Sequence, residues 1–148
     1  MGASVSIQNV ENSIYVSYDS GQRNNLYILE LCEELKKNGR NVISSELMNN
    51  LFDHSENVRE IIKSMETIVE NSHLILICIS KRTLSNYYQT IEMNSALKSN
   101  KNILFLMTDE NYTPEKKPMF VGLVKNRWLP LYYDRHISNT IKLINDNY

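Results

Sequence analysis

Apolar and polar positions along this chain follow two periods, and the pattern switches between them repeatedly. Residues 14–18 (Ile-Tyr-Val-Ser-Tyr) are a β-branched and aromatic run that ends in the polar turn Asp19-Ser20-Gly21, as a short strand does. From Asn24 the spacing becomes helical, with Ile28, Leu31, Cys32 and Leu35 at i, i+3, i+4 and i+7 and Asn38-Gly39 as the stop. Val42-Ile43 begins a second strand, and 44–55 reads as a polar, irregular connection. Val58, Ile61, Ile62, Met65, Ile68 and Val69 then form the clearest amphipathic stripe in the chain.

Leu74-Ile75-Leu76-Ile77-Cys78-Ile79 is apolar at every position, as a central parallel strand covered on both faces requires. Ser85 or Asn86 is placed to cap a following helix that runs to about Asn100. Its apolar face is expected to comprise Leu84, Tyr88, Ile91 and Ser95/Ala96. A fourth strand is expected at 102–108, then a loop with Pro114 and Pro118, a short helical turn at 119–124, and a last strand at 128–133 edged by Pro130. Ile137, Ile141 and Ile144 mark a closing helix.

Five strands alternating with helices imply a doubly wound α/β domain: a five-stranded parallel sheet of flavodoxin-like order 2-1-3-4-5 with helices on both faces. Residues 1–12 are read as an N-terminal extension and 13–148 as a single domain. In this architecture ligands sit at the C-terminal strand ends, near the point where strand order reverses. The positions to examine are therefore 17–23, 44–46 and 80–92.

Composition narrows the chemistry. With 16 Lys+Arg against 17 Asp+Glu, the chain lacks the basic surplus that nucleic-acid binding demands. The charge is uneven, however: residues 1–74 hold 6 basic and 11 acidic side chains, and 75–148 hold 10 and 6. The longest apolar run, 74–79, is far too short to span a bilayer. Cys32 and Cys78 lie in apolar stretches without metal-ligand spacing and read as buried small hydrophobes in a reducing compartment. The start, Met-Gly-Ala-Ser-Val-Ser, fits N-myristoylation of Gly2. The expected location is cytoplasmic, with at most a weak membrane tether through Gly2.

Several site types are missing. The sequence has no GxGxxG, no GxxxxGK[ST], no GxSxG and no CxxC. His54, His73 and His136 are widely separated and are read as surface or satisfied core residues. A phospho-accepting receiver domain would carry Asp after strand three, where this chain has Ser80.

One segment carries a resemblance. Residues 80–92 (Ser-Lys-Arg-Thr-Leu-Ser-Asn-Tyr-Tyr-Gln-Thr-Ile-Glu) are similar to the third strand end and following helix of TIR domains, whose pattern is Ser, an aromatic eight residues on, Cys nine on and Glu twelve on. Tyr88 and Glu92 fall on that spacing, whereas Gln89 stands where many members have Cys. Residues 14–18 resemble the family's first box, 69–80 its Ile-x-x-Ser before an apolar strand, and 120–128 the segment before its last strand. The loop at 44–52 departs from the pattern, lacking the Pro-Gly of the second box.

The resemblance implies one of two activities. In the NAD-cleaving branch, Glu92 would be catalytic, with Ser17, Tyr18, Asp19, Arg23, Ser45, Ser80 and Tyr88 lining the substrate site. NAD is then the substrate, and neither cofactor nor metal is needed. The alternative is a non-catalytic scaffold that binds other TIR domains homotypically. A further alternative is another glycosidic-bond enzyme with a catalytic Glu on a similar fold.

Overall fold

The computed structural model describes residues 10–45, 57–112 and 127–148. The Gly2 acceptor, most of the 44–55 connection with His54, the prolines at 114 and 118 and the expected turn at 119–124 lie outside them. The described chain forms β1 (Ser13–Ser17), α1 (Leu26–Lys37), β2 (Asn41–Ser44), α2 (Val58–Asn71), β3 (Leu74–Ile79), α3 (Tyr87–Lys98), β4 (Asn102–Met107), β5 (Arg127–Pro130) and α4 (Asp134–Asn147). Short 3₁₀ turns at Val10–Asn12, Ser20–Gln22 and Thr83–Ser85 join them. The sheet order is β2-β1-β3-β4-β5, with all pairs parallel.

Strand periodicity sorts the core into two layers. On one face Tyr15, Ile43, Ile75, Ile77, Ile79, Ile103 and Phe105 pack with Ile61, Met65, Ile68, Met93 and Ala96 of α2 and α3. On the other, Ile14, Val16, Leu74, Leu76, Cys78, Leu104 and Leu106 pack with Ile28, Leu31, Cys32, Leu35, Ile137 and Ile144 of α1 and α4. All six residues of β3 are buried, so the strand expected at the centre is the centre. Both cysteines are free and buried, and burial pushes both thiols up, Cys32 to about 11.

The helix ends use asparagine. Asn25, Asn57 and Asn86 cap α1, α2 and α3, their side chains accepting from Tyr27 N and Ile28 N, Glu60 N and Gln89 N respectively. Each such cap contributes about 1 kcal/mol by pairing donors that the helix leaves over. At the other end of α1, Gly39 adopts φ +80°; its N–H bonds Lys36 O and that of Arg40 bonds Leu35 O. This double bond pattern closes the helix and requires the left-handed backbone that glycine adopts freely.

Two boundaries differ from expectation. β5 ends at Pro130 rather than 133, after one more ladder bond from Leu131 N to Met107 O at 2.7 Å. The next two amides, Tyr132 and Tyr133, both turn to His136 Nδ1 at 3.1 Å. They prepare the start of α4 instead of extending the sheet, and His136 is accordingly a satisfied core histidine, 6% exposed. The second difference is the rotation of α3. Its buried residues are Gln89, Glu92, Met93, Ser95 and Ala96, while Tyr88 and Ile91 are half-buried. Glu92 thus stands in the middle of the buried face.

Candidate functional site

β1 neighbours both β2 and β3, so the chain reverses its direction of travel across the sheet at this strand, the place where open α/β sheets leave a crevice. Tyr15 and Ser17 are two residues apart on β1 and therefore face the same layer, toward α3. Ser45 follows directly after β2. These three hydroxyls converge on one carboxylate. Tyr15 donates to Glu92 Oε2, Ser17 Oγ lies 2.9 Å from Oε1, and Ser45 Oγ lies 3.1 and 3.0 Å from Oε1 and Oε2.

Glu92 is 2% exposed, and no Lys or Arg among the described residues comes within ion-pair distance of it. Its carboxyl is pushed up to about 7 because burial strips water from the charged form; the hydrogen bonds from Tyr15, Ser17 and Ser45 oppose that rise. The Tyr15 phenol is driven well above its ordinary range by burial and by the charge and hydrogen bond of Glu92. The carboxylate is thereby held half-ionised near neutral pH, a condition suited to chemistry in which its charge counts.

Gln89, one turn earlier on α3, fixes this arrangement. It is fully buried, and its Nε2 donates to Cys78 O at 2.8 Å and Ser17 O at 3.3 Å, tying the helix to the ends of β3 and β1. A cysteine at this position would not make both of these bonds. Beside this cage lies a second polar group. Asp19 accepts from Gly21 N at 2.8 Å and from Ser80 Oγ at 2.7 Å, and Ser80 N donates to Thr83 Oγ1. A Cβ at Gly21 would approach to 2.5 Å from Arg82 Nη1 and 2.9 Å from Asp19 Oδ1, so the turn accommodates only glycine without rearrangement. An open cleft of about 320 Å³ runs here, lined by Asp19, Ser20, Gly21, Arg82, Ser85 and Asn86.

The sequence-derived set therefore divides. Ser17, Ser45 and Glu92 form one cluster, joined by Tyr18 through its backbone N–H to Ser45 Oγ at 3.0 Å. Asp19 and Ser80 form the neighbouring pair at the cleft. Arg23 ends the 3₁₀ turn, exposed and apart from both. Tyr88 packs half-buried against the apolar layer and edge-on to Tyr87 at 5.4 Å. Sequence reasoning missed Tyr15, Gln89 and Arg82. The parity of Tyr15 with Ser17 on one strand is the signal that points to it.

The fold and this site define a class: a doubly wound α/β domain with a hydroxyl-caged carboxylate at its topological switch point. A sequence profile described as TIR domain matches residues 14–141, and the chain belongs to that family. Among solved structures the chain is similar to one in the crystal structure of the RPS4 and RRS1 TIR domain heterodimer, at 9% identity and a TM-score of 0.62. That match covers 90% of this chain and 96% of the other. It is also similar to the TIR domain of the Toll-related receptor TRR-2 from Hydra magnipapillata, at 18% identity and a TM-score of 0.57, covering 90% and 95%. At these identities the likeness shows a shared fold. No curated protein matches the sequence.

Proposed function

We propose that this TIR domain hydrolyses or cyclises NAD by breaking the bond between nicotinamide and ribose. The observation that carries the reading is Glu92: a fully buried carboxylate with no cationic partner among the described residues, at the switch point, surrounded by three hydroxyl donors. Burying such a charge costs several kcal/mol, and packing alone gives no reason to retain it. Departure of neutral nicotinamide leaves positive charge on the ribose carbon, which a nearby carboxylate stabilises. Attack by water gives ADP-ribose and a proton; attack by an adenine nitrogen of the same molecule gives the cyclic product and a proton. Ser17, Tyr18 and Ser45 hold Glu92 and its surroundings, and the Asp19–Ser80 cleft takes the rest of the nucleotide.

The test is nicotinamide release from NAD by purified protein, followed chromatographically from pH 5 to 9. Release that rises with pH about a midpoint near 7 supports the reading. No release at any pH, even at high protein concentration, overturns it in favour of the scaffold. A specific observation supports that second reading, homotypic association: Leu26 and Leu29 of α1 are 74% and 39% exposed on one helix.

A further inference from the structure

Ser45 has one hydroxyl proton and more acceptors than it can serve. Its Oγ lies 3.1 and 3.0 Å from the two oxygens of Glu92 and 3.3 Å from Val16 O, while it accepts from Tyr18 N at 3.0 Å. Ser17 Oγ and the Tyr15 phenol are each directed at Glu92, and the phenol also interacts with the Ser45 side chain. When Glu92 is ionised, all three hydroxyls can donate to it. When Glu92 carries a proton, that proton needs an acceptor, and Ser45 Oγ is the hydroxyl able to turn its own proton away.

We propose that Ser45 is a positioning residue whose hydroxyl proton alternates between Glu92 and the Val16 carbonyl, releasing one carboxylate oxygen when a substrate hydroxyl arrives to replace it. The substrate half of this statement rests on the NAD-cleaving reading and deepens it: the group that displaces Ser45 is a ribose hydroxyl, a donor of the same kind as serine. The exchange is balanced. Ser45 gives up one bond to Glu92 and gains one to Val16 O, the substrate supplies the replacement donor, and Tyr18 N keeps its acceptor throughout.

The two ionisable side chains coupled to Glu92 from the neighbouring strands, Tyr15 and Cys78, do not titrate in the same range. Tyr15 on β1 and Cys78 on β3 are both pushed well above their ordinary values by burial. Asp19 is held by Gly21 N and Ser80 Oγ, and Tyr18 lies beside Tyr15. From α2 the core-facing residues are Ile61, Met65, Ile68 and Val69, none of which ionises.

The experiment is a ¹³C NMR titration of the full chain from pH 5 to 9, without NAD, following the Glu92 carboxyl and the Val16 backbone carbonyl. The two signals should move together in the wild type and in Ser45→Thr, which keeps the hydroxyl. In Ser45→Ala the Val16 response should vanish, and the Glu92 midpoint should rise by on the order of one pH unit, because a donor to the charged form is lost. Nicotinamide release by Ser45→Ala should then fall about fivefold at pH 7 and recover by pH 9. A Val16 carbonyl that stays fixed while Glu92 titrates in the wild type overturns the proposal, and that arm needs no variant to fold. If the signals move together but no nicotinamide is released, the hydroxyl exchange stands and the NAD-cleaving reading falls.

Discussion

Replacing Glu92 by Gln separates what the carboxylate does for chemistry from what it costs the fold. In the unfolded chain the group titrates near its ordinary 4.5, and in the fold it is pushed up to about 7. The folded state therefore binds the proton more tightly. Stability is greatest below 4.5, falls as pH rises from 4.5 to about 7 where the native state holds a proton that the unfolded state has lost, and is level above that. At 1.36 kcal/mol per pH unit, the interval amounts to about 3 kcal/mol. Glutamine cannot ionise, so Glu92→Gln should show no such slope and should gain on the wild type by about that amount between pH 4.5 and 8. Imperfect pairing of its amide with the Tyr15, Ser17 and Ser45 hydroxyls would lower both ends of the comparison equally. Urea unfolding of both proteins at pH 4.5, 5.5, 6.5, 7.5 and 8.5 measures it. A stability difference that stays constant across the series would refute the assignment of a raised carboxyl in a water-free cage. In the same preparations, nicotinamide release should be lost by a hundred- to thousandfold, the usual cost of removing one electrostatic contact to a transition state. Glu30→Gln, on exposed α1 surface, should change neither quantity.

Gln89→Ala removes both bonds to Cys78 O and Ser17 O and leaves a space at the strand ends; it should cost about 2–3 kcal/mol in urea unfolding and lower nicotinamide release further than stability alone explains, because α3 is then free to rotate Glu92 out of register. Gly39→Ala, where φ is +80° and nothing lies within 4 Å of the added methyl, should cost about 1 kcal/mol of backbone strain with nicotinamide release unchanged.

The chain's alternation of periods was enough to specify the architecture. Six consecutive apolar residues at 74–79 demand cover on both faces, and the stripes from Ile28 to Leu35 and from Val58 to Val69 supply helices with one apolar side each, so a layered parallel sheet follows from burial alone. The resemblance of residues 80–92 to the TIR pattern is what singled out Glu92 in the sequence. What periodicity could not give was the rotation of α3: the apolar face read from Tyr88 and Ile91 is not the buried one, because the helix buries the polar Gln89, Glu92 and Ser95 instead. Its face is set by hydrogen bonds to groups far away in sequence, Tyr15 at 77 residues' separation and Ser17 at 75. The end of β5 is decided by a local polar contact that spacing also does not show: two tyrosine amides choose the ring nitrogen of His136, at separations of 4 and 3 residues, over the ladder. Hydrophobic burial is read locally from spacing, whereas the pairing of buried polar groups is decided only when distant strands and helices are brought together. In this protein the carboxylate's environment belongs to the second kind.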